Sequence, residues 1–345
     1  MPRASFTGNT FIEPASQPNQ KLIAALTRPQ DSPIPICDRT FPGQQNRSVK
    51  KMAYDWTSNS IAEFGSSTRA RAVTIIRPPL LSRWSLLKDL QELVHYRDLL
   101  FTLTVHRIKV RYKQSILGVS WAILQPFSMM VILTAVFSQI ARLPSDGAPY
   151  PIFTYVALLP WNAFATSVSN ATGGLVNHSQ LVTKIYFPRE ILPITYVLAA
   201  LFDLLIASTV LAALMFYYRV PLTLTACWAL PIIVVLTSFS LAMGLLSSAT
   251  QVRFRDIGMA MPLLLQIWMF ATPIIYPLSA VPARFRFAYM FNPMVGIIES
   301  FRRVILYSQP PDFRVLGASA FTALALLFLS YFYFKRVEAT MADVI

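Results

Sequence analysis

Four basic residues at alternate positions stand directly before a long apolar run and are the most prominent chemical group in the sequence. They are Arg107, Lys109, Arg111 and Lys113, and the next charge along the chain is Arg142. The guanidinium fork of arginine and the ammonium group of lysine both bind phosphate oxygens. The cluster could therefore guide a phosphate-bearing ligand. It could equally mark the cytoplasmic end of a membrane span and bind anionic lipid headgroups, and the sequence leaves both roles open.

Asp203 is the one acidic residue in the apolar run from Ile191 to Tyr218. Ionisable groups at membrane depth are costly and by default indicate function. An ion-coupled relay needs several such groups, however. A hydrogen bond to a neighbouring helix or to a partner subunit is therefore the favoured role for Asp203.

Aromatic residues are concentrated in and near several apolar runs. An aromatic face can stack on the C–H face of a sugar ring without a fixed charge, which suits a sliding polymer. Packing in the core or in an interfacial aromatic belt is the alternative role. The candidates for lining such a path are Trp121, Tyr155, Trp161, Trp268 and Tyr276.

Motifs of soluble catalysis are absent from the sequence. It contains neither a G-x-x-x-x-G-K-[ST] phosphate loop nor a G-x-S-x-G nucleophile elbow. His95, His106 and His178 are isolated from one another and from both cysteines, so the spacing of a metal site is missing as well. We expect no catalytic residue, metal or bound cofactor in this chain, and no nucleic acid as a partner.

The composition indicates that membrane-spanning helices position these residues. The chain is 54% hydrophobic and 13% charged with a net charge of +14, whereas soluble proteins carry about 25% charged residues. Runs of about 20 apolar residues span a bilayer as helices, so we predict an all-α polytopic membrane protein. Six spans are predicted, at about 119–141, 151–170, 191–218, 224–249, 258–278 and 315–334.

The charges of the loops predict the orientation. Loops after the second and fourth spans carry Lys184 with Arg189 and Arg253 with Arg255, and Lys335 with Arg336 follows the sixth span. Basic loops stay in the cytoplasm. Both termini are therefore predicted to be cytoplasmic.

The segment between the fifth and sixth spans departs from this rule. Ser279 to Ser308 should be external, yet it contains four arginines and two short apolar stretches around Asn292-Pro293. A re-entrant hairpin fits this pattern, because non-spanning chain at membrane depth must be covered by protein or line a wet cavity. A surface loop with amphipathic helices is the alternative. Glu299 could pair with Arg302 or Arg303 at helical spacing.

Two segments precede the first span. Residues 1–80 are rich in Pro, Ser, Asn and Gln and predict a disordered, basic extension to a domain over 81–345. The following segment is helical, with one apolar stripe that includes Phe101 and Tyr112 and a second that includes Leu99 and Leu103. We expect this helix to lie in the headgroup layer. Packing on a small soluble domain is the alternative.

Over residues 85–345 the chain resembles the ABC-2 type permeases that export polysaccharides such as O-antigen, capsule and teichoic acid. Four stretches carry the resemblance: YRDLLFTLTVHRIKVRYKQSILGVSWAILQP, KIYFPREILP, VRFRDIGMAMPLLLQIWMFATPIIYP and NPMVGIIESFRRVIL. The resemblance implies a multi-pass subunit of the bacterial inner membrane that forms a homodimer, binds two ABC ATPase subunits and moves a lipid-linked glycan. ATP and Mg²⁺ would then be bound by the ATPase and not by this chain.

The resemblance also assigns roles to segments. It implies an interface helix at about Asp98–Lys113, a coupling helix at about Leu175–Pro188 and an external gate at about Pro282–Tyr307. The coupling residues would be Leu181, Lys184, Tyr186, Phe187, Pro188, Arg189 and Glu190. The gate residues would be Arg284, Asn292, Pro293, Glu299 and Arg302. Export of a small lipid or a drug is the alternative function, and an ion-coupled carrier is a more distant one.

Overall fold

The computed structural model describes residues 91–344, apart from positions 114, 185, 283, 286–288 and 290. The predicted extension over 1–80 and its boundary lie outside the described residues. Within them, the regular secondary structure is helical. The helices are α1 (Arg97–Lys113), α2 (Ser120–Leu133), α3 (Tyr150–Asn177), α4 (Ser179–Lys184), α5 (Ile191–Tyr217), α6 (Ala229–Arg253), α7 (Ile257–Phe270), α8 (Pro293–Ile305) and α9 (Phe313–Val344).

Short turns of other helix types extend or precede some of these helices. The π-helix Thr134–Ile140 continues α2, and the 3₁₀-helix Leu224–Trp228 leads into α6. A second 3₁₀-helix, Leu278–Ala280, follows α7. The sequence pattern gives the positions of the long helices but not these changes of helix type.

In the described part of the chain, four helical segments are long and apolar enough to cross a membrane: Ser120–Ser138, Ile191–Tyr217, Leu224–Arg253 and Phe313–Glu338. The helix α7 is apolar but has only 14 residues, about 21 Å at 1.5 Å per residue. The helix α3 has 28 residues, and its Thr, Ser and Asn side chains lower its hydropathy. The all-helical membrane fold is therefore confirmed, whereas the number of six crossings stays a prediction.

The helix α3 forms the centre of the fold, with buried residues around most of its circumference. It packs against α5 and α6, which also contact one another. Phe164 of α3 stacks on Phe239 of α6 with ring centroids 5.0 Å apart, and Trp268 of α7 meets Phe164 edge-on at 5.3 Å. These aromatic contacts fix how α6 and α7 lie against the central helix.

The helix α8 approaches α9 most closely at Gly296. A Cβ atom at this position would lie 2.1 Å from Ser319 Oγ and 2.9 Å from the Val315 carbonyl oxygen. The Val315 carbonyl oxygen belongs to the backbone, so it cannot rotate away from an added Cβ atom. Glycine is therefore required here by close approach, which is the usual role of small residues between membrane helices.

We expect Gly296→Ala to lower the thermal stability of the detergent-purified protein, because overpacking a tight contact costs about 1–3 kcal/mol. Gly317→Ala is the matched control, since a Cβ there meets no atom within 4 Å. Size-exclusion profiles after heating measure the stability of both variants. Equal melting temperatures for the two variants would show that the α8–α9 contact is not tight.

Candidate functional site

The four basic residues of α1 separate into two inward-facing and two outward-facing side chains. Arg107 donates from Nε to Thr195 Oγ1 at 2.7 Å and stacks on the Tyr196 ring at 3.4 Å. Arg111 is bound to Asp203. Lys109 and Lys113 are exposed and form no ion pair with other described residues. Arg111 stays 42% exposed beside its partner, so the two lysines differ from it by being unpaired among the described residues and not by being accessible.

Asp203 joins α1 to α5. Its carboxylate accepts hydrogen bonds from Arg111 Nη1 and from the Tyr112 hydroxyl. This is the hydrogen bond to a neighbouring helix that the sequence favours for Asp203, and α1 is that neighbour. Burial is the main cause that raises the pKa of Tyr112, with a further contribution from the adjacent carboxylate. Burial also lowers the pKa of Arg107.

The candidate path aromatics occupy different environments. Tyr155 and Trp161 are buried in the core, where the Tyr155 hydroxyl donates to the Ala207 carbonyl at 2.9 Å. Trp268 is half-buried against the phenylalanine stack described above. Trp121 is 51% exposed and borders a cavity, while Tyr276 bonds the Tyr289 hydroxyl at 2.7 Å. Within one chain, Tyr155 and Trp161 have core roles and present no exposed face to a passing ligand.

The loop after α3 has an outward and an inward side. Lys184 is exposed at the end of α4, and Tyr186 is 71% exposed. Phe187 and Pro188 are buried, and Leu181 is half-buried beside them. Of the predicted coupling residues, Lys184 and Tyr186 are therefore accessible to a partner, whereas the others anchor the loop.

Arg189 and Glu190 connect this loop to α9 through an ionic cluster. Glu190, which is 2% exposed, binds Lys335, and Lys335 also contacts Glu338 Oε2 at 3.0 Å. Arg189 donates from Nη1 to the Glu338 carbonyl at 2.6 Å. Burial, and then the Glu338 carboxylate, raise the pKa of Glu190. The cluster contains two cations and two carboxylates, so it is neutral as a whole.

Arg302 is the central residue of the predicted gate segment. It is 1% exposed and donates from Nη1 to the Pro273 carbonyl and from Nη2 to the Ile274 carbonyl, each at 2.6 Å. Its guanidinium carbon lies 3.7 Å from the centre of the Phe153 ring. These carbonyls belong to the non-helical chain after α7, where the backbone supplies no helical donor. The arginine therefore replaces the missing backbone donors.

The other predicted gate residues divide between a helix cap and the surface. Asn292 caps α8 through Met294 N at 3.1 Å and donates from Nδ2 to Thr272 Oγ1 at 3.1 Å, and Pro293 is the first residue of the helix. Arg284 is exposed beside Phe285. Among the described residues, Glu299 forms no ion pair with Arg302 or Arg303, although it lies near enough to both for their charges to interact with it. Arg302 turns inward to the carbonyls instead, and Arg303 pairs with Asp312 at 3.7 Å.

Residues 98–306, from the first turn of α1 to the end of α8, match the sequence profile of the ABC-2 type transporter family. The chain belongs to the ABC-2 type transporter family. Similar proteins include the O-antigen export system permease protein RfbA of Myxococcus xanthus, which is 31% identical over 75% of this chain and 99% of its own length. An RfbA protein of Klebsiella pneumoniae is 25% identical over 72% of this chain and 95% of its own length. The polysialic acid transport protein KpsM of Escherichia coli is 26% identical over 69% of this chain and 93% of its own length.

Sequence reasoning missed several residues of this ABC-2 chain that complete the clusters. In the sequence, Lys335 is a basic marker of topology, and no pattern singles out Glu338. The contacts of Glu338 with Arg189 join residues 149 positions apart, and Lys335 pairs with the adjacent Glu190, so no local pattern reveals them. Thr195 and Tyr196, the partners of Arg107, were missed for the same reason.

We expect Arg302→Lys and Arg302→Gln to reduce the yield and thermal stability of the ABC-2 chain in detergent. Neither side chain can reach both carbonyls with a planar fork, and each carbonyl left unpaired costs about 1–3 kcal/mol. Arg303→Gln is the matched control on the same helix, with a partly exposed side chain in a surface pair. A stable Arg302→Lys variant would show that charge alone is sufficient at this position.

We expect Lys335→Met to be strongly destabilising, because it leaves Glu190 buried without its cation, a loss of about 3–5 kcal/mol. Adding Glu190→Gln in the same chain should recover much of that loss. Heat stability of the single and double variants forms a double-mutant cycle, with Lys184→Met as the exposed control. Purely additive effects would contradict the coupling between the loop and α9.

Proposed function

We propose that this chain is the permease subunit of an ATP-driven exporter that moves a lipid-linked polysaccharide across the bacterial inner membrane. The observation that carries the proposal is the near full-length match to relatives whose names state O-antigen export and polysialic acid transport. Family membership over α1–α8 and the apolar helices support a membrane-spanning role. An ion-coupled carrier has less support, because Asp203 is engaged by Arg111 and Tyr112.

The proposed topology has six crossings, formed by α2, α3, α5, α6, α7 with the chain that follows it, and α9. Both termini then lie in the cytoplasm. We place α1 in the headgroup layer, since Phe101 and Val110 are exposed while Leu99 and Leu103 pack into the bundle. A helix with a packed face and an exposed apolar face suits the boundary between lipid and water.

The proposed partners are a second copy of this chain and two ABC ATPase subunits that bind ATP and Mg²⁺. Lys184 and Tyr186 are the exposed residues of the α4 loop and would contact the ATPase. Closure of the ATPase would press on this loop. The ionic cluster then gives the motion two routes into the membrane domain, through α5 directly and through α9 by way of Lys335.

The contacts of α1 refine which basic residues guide the pyrophosphate of a lipid-linked glycan. Arg107 and Arg111 are already occupied by Thr195, Tyr196 and Asp203. Lys109 and Lys113 are exposed and suit phosphate as mobile point charges. We therefore assign the guiding role to the two lysines and a positioning role to the two arginines.

The segment of about Pro282–Tyr307 is proposed as a re-entrant gate on the external side. Arg302 holds the carbonyls of Pro273 and Ile274, so movement of α8 is tied to the end of α7. A ligand that leaves beside α7 would have to pass this segment. The rigid contact at Gly296 links the same helix to α9.

Deletion of the gene is expected to remove polysaccharide from the cell surface and to accumulate lipid-linked polymer inside the cell. Synthesis continues in the cytoplasm while export is lost, which explains both changes. Staining of surface glycan and extraction of lipid-linked polymer from the same cells measure them. The full-length chain expressed in trans should restore export.

An unchanged surface glycan in the deletion strain would contradict this function. If the same strain became sensitive to an exported drug or lost a small surface lipid, the alternative export function would replace it. Accumulation of intracellular polymer separates an export defect from a defect in synthesis, in which the polymer would be missing from both places.

A further inference from the structure

A cavity of about 170 Å³ lies between α1, α2, α3 and α5. Water occupies roughly 30 Å³ per molecule in the liquid, so the space would hold about five or six waters and is comparable to one sugar ring. Six of its lining residues matter for the argument: Arg111, Tyr112, Trp121, Gln125, Asn162 and Asp203. Trp121 is also one of the candidate path aromatics, whereas Gln125 and Asn162 have no role in the sites described above.

The first observation is an unpaired polar group in the cavity wall. The amide nitrogen of Asn162 is buried and has no hydrogen-bond partner among the described residues. A buried donor without a partner is unfavourable, and such a group in a native protein usually meets water or a ligand. The amide nitrogen of Asn162 would therefore gain a partner if its side chain turned toward a hydrogen-bond acceptor in the cavity that the residue lines.

The second observation is the charge of the lining. Arg111 and Asp203 are the charged residues of the cavity, and they neutralise one another. The remaining polar residues, among them Tyr112, Gln125 and Asn162, are neutral and offer both donors and acceptors. A phosphate offers mainly acceptors and would lie close to the Asp203 carboxylate, which repels it. An uncharged ligand rich in hydroxyl groups fits both kinds of partner.

The third observation is the aromatic wall. Trp121 of α2 borders the cavity and keeps about half of its surface exposed. Aromatic faces carry a negative quadrupole that attracts the weakly positive C–H groups of a ring above them. The cavity thus places the indole of Trp121 near the polar side chains of Asn162 and Asp203. Sites for small molecules usually combine an apolar face with a few polar groups in this way.

We propose that this cavity binds one uncharged sugar unit of the exported polymer, with Asn162 hydrogen-bonded to a hydroxyl group and Trp121 stacked on the ring. The inference rests on the proposed polysaccharide export and adds a subsite within a single copy of the chain. Arg111 and Tyr112 hold Asp203 in place as an acceptor for a second hydroxyl group. The cavity would then select for sugar units and not for the lipid pyrophosphate.

The test uses the full-length chain in lipid nanodiscs and follows tryptophan fluorescence. The probe is the free oligosaccharide released by mild acid from the surface polysaccharide of the producing cells, and inorganic pyrophosphate is titrated in parallel. We expect a saturable fluorescence change with the oligosaccharide and none with pyrophosphate. Asn162→Ala should weaken the apparent Kd about fivefold to tenfold, as expected for one lost hydrogen bond.

Asn170→Ala is the matched control, because Asn170 is exposed on the same helix and does not line the cavity. It should bind the oligosaccharide as the unmodified chain does. Trp121→Phe should remove most of the fluorescence change while retaining binding when oligosaccharide is measured by equilibrium dialysis. This second variant keeps the test valid if Asn162→Ala is unstable in detergent.

Three results would overturn the inference. A pyrophosphate response that Arg111→Gln removes would show a phosphate site, and equal effects of Asn162→Ala and Asn170→Ala would show that the cavity is not the binding site. A chain that restores export in the deletion strain but does not respond to the oligosaccharide would reject the subsite while leaving the proposed function intact. Failure of the function itself is distinguishable, because it is seen in the deletion strain before any cavity variant is made.

Discussion

The interaction on which this structure depends is the pairing of each buried charge with groups of the same chain. A charge in a membrane domain lacks water to solvate it, so its partners must come from other helices. Arg302 donates hydrogen bonds to two backbone carbonyls. Asp203 accepts hydrogen bonds from Arg111 and Tyr112, and Glu190 forms an ion pair with Lys335. Each pairing also joins two segments that are distant in sequence, so the charges determine which helices are adjacent.

These three pairings lie at three different sites of the proposed transporter. The Glu190 cluster lies where the α4 loop meets the membrane domain. Asp203 and Arg111 border the cavity beside α1. Arg302 binds the carbonyls of the segment that follows α7. Since each charge and its partners lie on different segments of the chain, a displacement of one segment strains a defined contact.

The sequence predicts the helices well because hydropathy and helical period are local properties. The structure has α1 at Arg97–Lys113, close to the expected Asp98–Lys113, and α5 nearly coincides with the predicted third span. The sequence does not predict which helix faces which, because that depends on contacts between distant residues. Tyr155 and Trp161 illustrate this, since an aromatic residue in an apolar helix looks the same whether it faces a path or the core. Helical spacing likewise offers Glu299 as the partner of Arg302, because that spacing is local, whereas the carbonyls that Arg302 binds belong to Pro273 and Ile274.

The central position of α3 has a consequence for biosynthesis. Its hydropathy is lowered by polar side chains that α5 and α6 cover in the finished fold, and both of these helices are synthesised after it. A segment of this kind partitions weakly into lipid by itself. In the proposed topology, α3 therefore becomes stable in the bilayer only when the later helices leave the ribosome, and the nascent chain depends on the insertion machinery to hold it until then.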